Sequence, residues 1–256
     1  MMRNFVEKNS IVRRIWGDPD LILLVFAGSA AEFALNRAVD WLFFTGKIPA
    51  DPIGRFFSTV TYAQQIVFAD ESQAQKIIAR INAIHAGVEQ AREQSIPDWA
   101  YRDVLYMLID YSVRSFELLH RRLTNTERTE LYAVFRRLGA MMQIAQLPKD
   151  FAAWQTDRQH HLERDLEYTP YTKDLFNQYR KQLGEWRYRI LLDVQALLVP
   201  HRVRRLLSLS ANNPLSYLIW SYGVVDQLGL QTVVRRALLP PEHRQAVERL
   251  KRSDIV

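Results

Sequence analysis

Cysteine is absent from the chain. That excludes disulfides, cysteine-ligated zinc, iron–sulfur clusters, a thiolate-ligated haem and covalent c-type haem attachment. Any haem would have to be held non-covalently, through His, Tyr, Met or Lys. Glycine and proline are also sparse, at nine and ten in 256 residues, too few for the many turns of an all-β protein. No apolar run is long enough to span a bilayer, which takes about 20 residues. The longest, Leu21–Ala31, follows Arg13 and Arg14 and has the look of a leader core. Asp18-Pro19 directly before it is a helix-start signal, and charge returns at Glu32 and Arg37. The run therefore reads as a buried core helix, and the chain as cytoplasmic.

What fills the chain instead is Leu, Ala, Arg, Glu and Gln, all good helix formers. An apolar share of 48% with 24% charged residues is ordinary for a globular protein that closes a core. All-α is the expected class, as a single-domain helical bundle. The predicted order is an amphipathic lead-in over 3–16 and a long helix from about Pro19 to Phe44. A proline-marked loop then leads to helices near 53–68, 72–94, 98–120, 124–146, 149–166, 171–198, 214–238 and 241–252. Thr124 with Glu127 fits a capping box. No repeat and no Gly/Ser-rich linker divides the chain, so residues 1–256 are taken as one domain, with a core over about 15–185 and a helical extension over about 186–256.

Net charge is +6, and the excess lies late, in Arg202/Arg204/Arg205, Arg235/Arg236 and Arg249/Lys251/Arg252. A solvated helix face is the plain account. Weak contact of this basic C-terminus with an anionic membrane surface is the functional alternative. Nucleic acid is not expected, since no nucleic-acid motif accompanies the charge.

His85 shares a predicted helix face with Ile78, Ile81 and Val88. A lone histidine on an apolar face is more often a core residue bonded to a carbonyl. A neutral imidazole in dry surroundings also suits the axial ligation of haem iron. Arg55 and Thr59, at i and i+4, share one face of the preceding helix, continued by Tyr62 and Ile66. They are either a surface arginine and hydroxyl or a wall that polarises bound dioxygen. Glu117-Leu-Leu-His120 is an E-x-x-H unit of the kind used by di-iron carboxylate bundles, with Asp157/His160 and Glu32 as the only available complements. A solvated face is the simpler account. No dinucleotide, P-loop, zincin or nucleophile-elbow motif is present.

The order of these pieces resembles the catalytic domain shared by latex-clearing rubber oxygenases and the fungal oxygenases of the mycophenolate pathway. The resemblance runs over about 15–185, through Ile15-Trp16-Gly17-Asp18, Phe26-Ala27-Gly28, Asp51-Pro52, Arg55-Phe-Phe-Ser-Thr59, His85-Ala-Gly-Val88, Tyr101-Arg-Asp103, Leu123-Thr124 with Glu127, and Leu147-Pro148. It implies a globin-like core that binds haem b, with dioxygen and an apolar small molecule or polymer, isoprenoid among the candidates, as reactants. His85 takes the place of the iron ligand, and Arg55 and Thr59 match the arginine and threonine facing it. Ser58 stands where the rubber oxygenases have a lysine able to fill the sixth coordination position, so a lysine-closed state is not expected. A Gln-x-x-His-Pro segment common in the family is missing from Asn36–Trp41, and Asp40 is the nearest carboxylate to the place of an acidic base. A di-iron oxidase and a non-catalytic helical binding protein are the competing readings.

Overall fold

A computed structural model describes residues 3–44 and 51–210, and all statements below concern those residues. Eleven helices are described. They are α1 (Ile11–Gly17), α2 (Pro19–Phe33), α3 (Asp40–Phe44), α4 (Pro52–Phe68), α5 (Glu71–Arg92), α6 (Asp98–Leu119), α7 (Asn125–Met141), α8 (Phe151–Arg164), α9 (Pro170–Leu183), α10 (Glu185–Leu198) and α11 (His201–Leu206). Among the described residues there is no strand, only the isolated bridges Asn4–Asp70 and Asn36–Leu166. The all-α expectation holds. No described helix is long and apolar enough to cross a membrane.

The core is built on α2 against α6, the most extensive helix pairing among the described residues. Asp18 caps α2 by accepting from the backbone N–H groups of Asp20 and Leu21, with Pro19 in the first turn. The apolar run that looked like a leader is therefore a core helix, burying Leu21, Ile22, Val25, Phe26 and Ala31. Opposite it α6 buries Leu105, Tyr106, Met107, Ile109, Tyr111 and Phe116. Trp16, fully buried at the end of α1, meets Phe26 edge-on, packs on Phe135 and donates its indole N–H to Ser112 Oγ at 3.2 Å. The helical pair α4–α5 is tied to this core by Gln64 Nε2 donating to the Trp16 carbonyl and Asn82 Nδ2 donating to that of Met141.

Several boundaries differ from the sequence expectation, each for a physical reason. The lead-in is not helical before Ser10; residues 3–5 lie along the α4–α5 turn through Phe5 N–H to Ala69 O and Glu71 N–H to Arg3 O. The long helix expected over 19–44 stops at Phe33. There Asn36 Oδ1 accepts from Ala38 N–H while its Nδ2 donates to Asp103, and the turn pairs through Arg37 N–H to Asp165 O and Glu167 N–H to Leu35 O. Those long-range bonds outweigh local helix propensity. The helix expected over 171–198 breaks at Gly184, whose φ of 73° suits glycine and ends α9. α7 ends at Met141, five residues short of the expected Gln146. The helices expected over 214–238 and 241–252, with the basic clusters at 235–236 and 249–252, lie outside the described residues.

Candidate functional site

The pair α4–α5 turns at Ala69-Asp70, where the Asp70 side chain accepts from Gln73 N–H and starts α5. Arg55 and His85 lie equally far from Asp70 along the chain. Two antiparallel helices therefore bring them level with each other. The electrostatics agree. Burial lowers the pKa of the His85 imidazole, the Arg55 guanidinium lowers it further, and Glu89 opposes both. The ring is thus held neutral at ordinary pH.

His85 keeps the apolar company expected of it. Ile78 on the same face of α5 is buried, and Ile81 and Val88 are half-buried. The ring packs on Tyr101 of α6, with centroids 5.2 Å apart and planes tilted by 53°. Among the described residues no hydrogen bond reaches either ring nitrogen, so the carbonyl-bonded core histidine is not what is seen. Nor does any described carboxylate form an ion pair with Arg55. The two groups that face each other are a neutral imidazole and an unneutralised cation.

The hydroxyls of α4 are placed differently. Ser58 Oγ donates to the Arg55 carbonyl at 2.6 Å, and Thr59 Oγ1 donates to the same carbonyl at 3.3 Å. Both are thus turned onto their own helix, with Thr59 exposed. Phe57 and Tyr62 on the same helix are half-buried, and the side chain of Phe56 lies outside the described residues. Asp40 does not stand free as a base: it pairs with Arg92 at 2.6 Å, and that guanidinium lies over the Trp41 ring at 4.1 Å.

The di-iron set does not assemble. Glu32 is held by Arg158 and Tyr111, Glu117 by Arg128 and Leu123 N–H, and Asp157 by the Tyr106 hydroxyl. His120 and His160 are exposed. These groups occupy separate pairs instead of one carboxylate cage.

Two groups of polar residues were given no functional role from the sequence. Glu89, one turn beyond His85, accepts from Ile96 N–H at 2.7 Å and from the Tyr101 hydroxyl at 3.4 Å. The second group is Asp103, His161 and Asp165, all buried, with side chains at most 4% exposed. His161 Nδ1 contacts Asp103 Oδ1 and lies 3.0 Å from Asp165 Oδ2. One nitrogen and two carboxylate oxygens within 4.8 Å of one another are a donor set that suits a divalent cation. Each carboxylate already has a further partner, since Asn36 donates to Asp103 at 2.8 Å and Arg164 grips both oxygens of Asp165. The group braces α6, α8 and the turn after α2. The only local hint was the i, i+4 spacing of Asp157, His161 and Asp165.

Against this geometry stand the comparisons with known proteins. The family described as “ER-bound oxygenase mpaB/B'/Rubber oxygenase, catalytic domain” matches residues 13–248, beyond the 15–185 over which the resemblance was read. No curated protein and no solved structure matches the chain. A match over most of its length places the chain in that family: it belongs to the mpaB/rubber oxygenase catalytic domains.

Proposed function

We propose that the protein is a haem b-dependent oxygenase acting on an apolar substrate, in which His85 would hold the iron and Arg55 and Thr59 would be contributed by the facing helix. The observation that carries this reading is the opposition of Arg55 and His85 across α4–α5, with no hydrogen bond from the described residues on the imidazole. The residues suit the group. A histidine that is to hold haem iron must be neutral, must offer a free nitrogen and must sit among apolar side chains, and among the described residues His85 meets these requirements. When bound, haem iron supplies the activation of dioxygen that the protein's own side chains lack.

The chain's residues have simpler tasks. Ile78, Ile81 and Val88 keep water from the ligand side, which strengthens every charge interaction there. Arg55 is a cation with no carboxylate partner among the described residues, and would be suited to stabilising negative charge that builds up near it. Thr59 would join it by turning its hydroxyl away from the Arg55 carbonyl, at the cost of one weak 3.3 Å bond. Ser58 offers no amine, so nothing from that position competes for the iron. The family's oxygenase chemistry and the apolar surroundings of His85 support an apolar, isoprenoid-like substrate, small or polymeric, with dioxygen as co-substrate.

The test is composition. Protein expressed with haem available is analysed for porphyrin, iron and other metals. Stoichiometric porphyrin iron is expected. A non-haem metal without porphyrin would move the centre toward Asp103, His161 and Asp165 and defeat the reading, and protein with neither would leave a binding or scaffold role.

A further inference from the structure

We infer that Tyr101 and Glu89 are positioning residues for the His85 imidazole: Glu89 fixes Tyr101, and Tyr101 fixes the plane of the ring. The inference rests on His85 being the haem ligand and extends that reading to two residues that nothing else about the chain assigns.

The argument is geometric. Among the described residues no hydrogen bond reaches either His85 nitrogen, so packing is what sets its χ2 angle there, and that torsion is broad and soft. The aromatic surface packed on it is Tyr101, at 5.2 Å between centroids. Tyr101 is itself half-buried, so its ring needs a tether at the far end. Its hydroxyl supplies one by donating to Glu89 Oε1 at 3.4 Å. The same oxygen accepts the Ile96 N–H at 2.7 Å, which ties the tether to the connection between α5 and α6. Glu89 lies four residues after His85 on α5, so the histidine, the carboxylate and the tyrosine form a closed triangle spanning both helices. Glu89 is thus already engaged, and the imidazole nitrogens are left for an outside ligand. Partners that orient a metal-bound histidine are commonly worth about 10–100-fold in affinity, and here packing takes the part usually played by a hydrogen bond.

The test uses the full-length protein loaded with haem b, read by the rate of haem transfer to an excess of apomyoglobin and by the midpoint potential. Melting temperatures of the haem-free forms are measured alongside. Tyr101→Leu removes ring and tether and should release haem about tenfold faster or more. Glu89→Ala should move the same way, whereas Glu89→Gln keeps an acceptor for both donors and should return close to wild type. Tyr101→Phe keeps the ring and should fall between. The His85 ring-proton shifts in the haem-free protein should change in Tyr101→Leu, independently of any cofactor. Wild-type release rates in both Tyr101→Leu and Glu89→Ala would overturn the inference. So would losses that merely parallel the melting temperatures without rescue by Glu89→Gln. A His85→Ala variant that retains haem with the wild-type spectrum would instead remove the ligand reading itself, so the two failures are distinct.

Discussion

Arg158 holds the two carboxylate oxygens of Glu32 at 2.6 Å each, where the two side chains are 5% and 1% exposed. Asp110 accepts from the same guanidinium at 3.0 Å, and Tyr111 donates its hydroxyl to Glu32 at 2.8 Å. Burial disfavours the cation, but Glu32 and Asp110 outweigh it and raise the Arg158 pKa. Removing Arg158 leaves the buried Glu32 carboxylate without its cation, so Arg158→Ala should lose about 3–5 kcal/mol in urea unfolding, and Glu32→Ala should lose less because Asp110 still pairs with the guanidinium. The double variant Glu32→Leu/Arg158→Met should recover much of that loss. Single-variant losses no larger than those of surface residues would mean that the pair is not buried as described.

Gly28 lies in the middle of α2, where alanine would ordinarily raise helix stability by about 1 kcal/mol. Here an added Cβ would stand 2.2 Å from Tyr111 Cδ1, and Tyr111 is anchored through its hydroxyl to Glu32. Gly28→Ala should therefore destabilise, by about 1–3 kcal/mol, and thermal unfolding reads the sign directly.

Thr124 and Glu127 close a reciprocal capping box at the start of α7. Thr124→Ala should cost about 1 kcal/mol. Its hydrogen bonds with Arg121, and then those from Thr124, hold the Glu127 carboxyl down at about 2. A depressed carboxylate contributes stability that is full above its unfolded value near 4.5 and is lost as pH falls from there toward 2. The pair is open to solvent, so the contribution is at most about 1 kcal/mol. In Glu127→Gln this part of the pH dependence should vanish.

His85 gives the haem-free protein a second pH dependence. Its ring pKa is lowered by burial first and by Arg55 second. A depressed imidazole adds no penalty above its unfolded value of 6.5, and costs stability as pH falls below that value and through the folded pKa. Unfolding free energy measured from pH 7 down to pH 5 should decline in the wild type and flatten in His85→Gln. Arg55→Gln should lessen the slope, because one of the two lowering causes is gone.

What could be read in the sequence was whatever local signals encode. Asp18-Pro19 and Thr124 with Glu127 start helices where they were expected to, because capping is settled within four residues. The facing of Arg55 and His85 was legible for a related reason: helical spacing and one short turn bring the two together. The break after Phe33 was not, because it is imposed by Asp103, 67 residues from Asn36, and by the backbone at 165–167. The contact of His161 with Asp103 spans 58 positions, and no periodicity connects them. Thr59 marks a different limit. Its position on the helix follows from spacing, but the choice of the Arg55 carbonyl as its partner is a rotamer outcome that spacing does not encode.

The central claim is that His85 ligates haem iron, and the visible spectrum of purified His85→Ala beside wild type tests it most directly. Both proteins are expressed with haem available, and both are remeasured after adding free imidazole. Wild type should carry stoichiometric haem with a histidine-ligated spectrum, and the variant should lose haem and regain the spectrum when imidazole fills the gap. A variant that keeps the wild-type haem content and spectrum unaided would contradict the account.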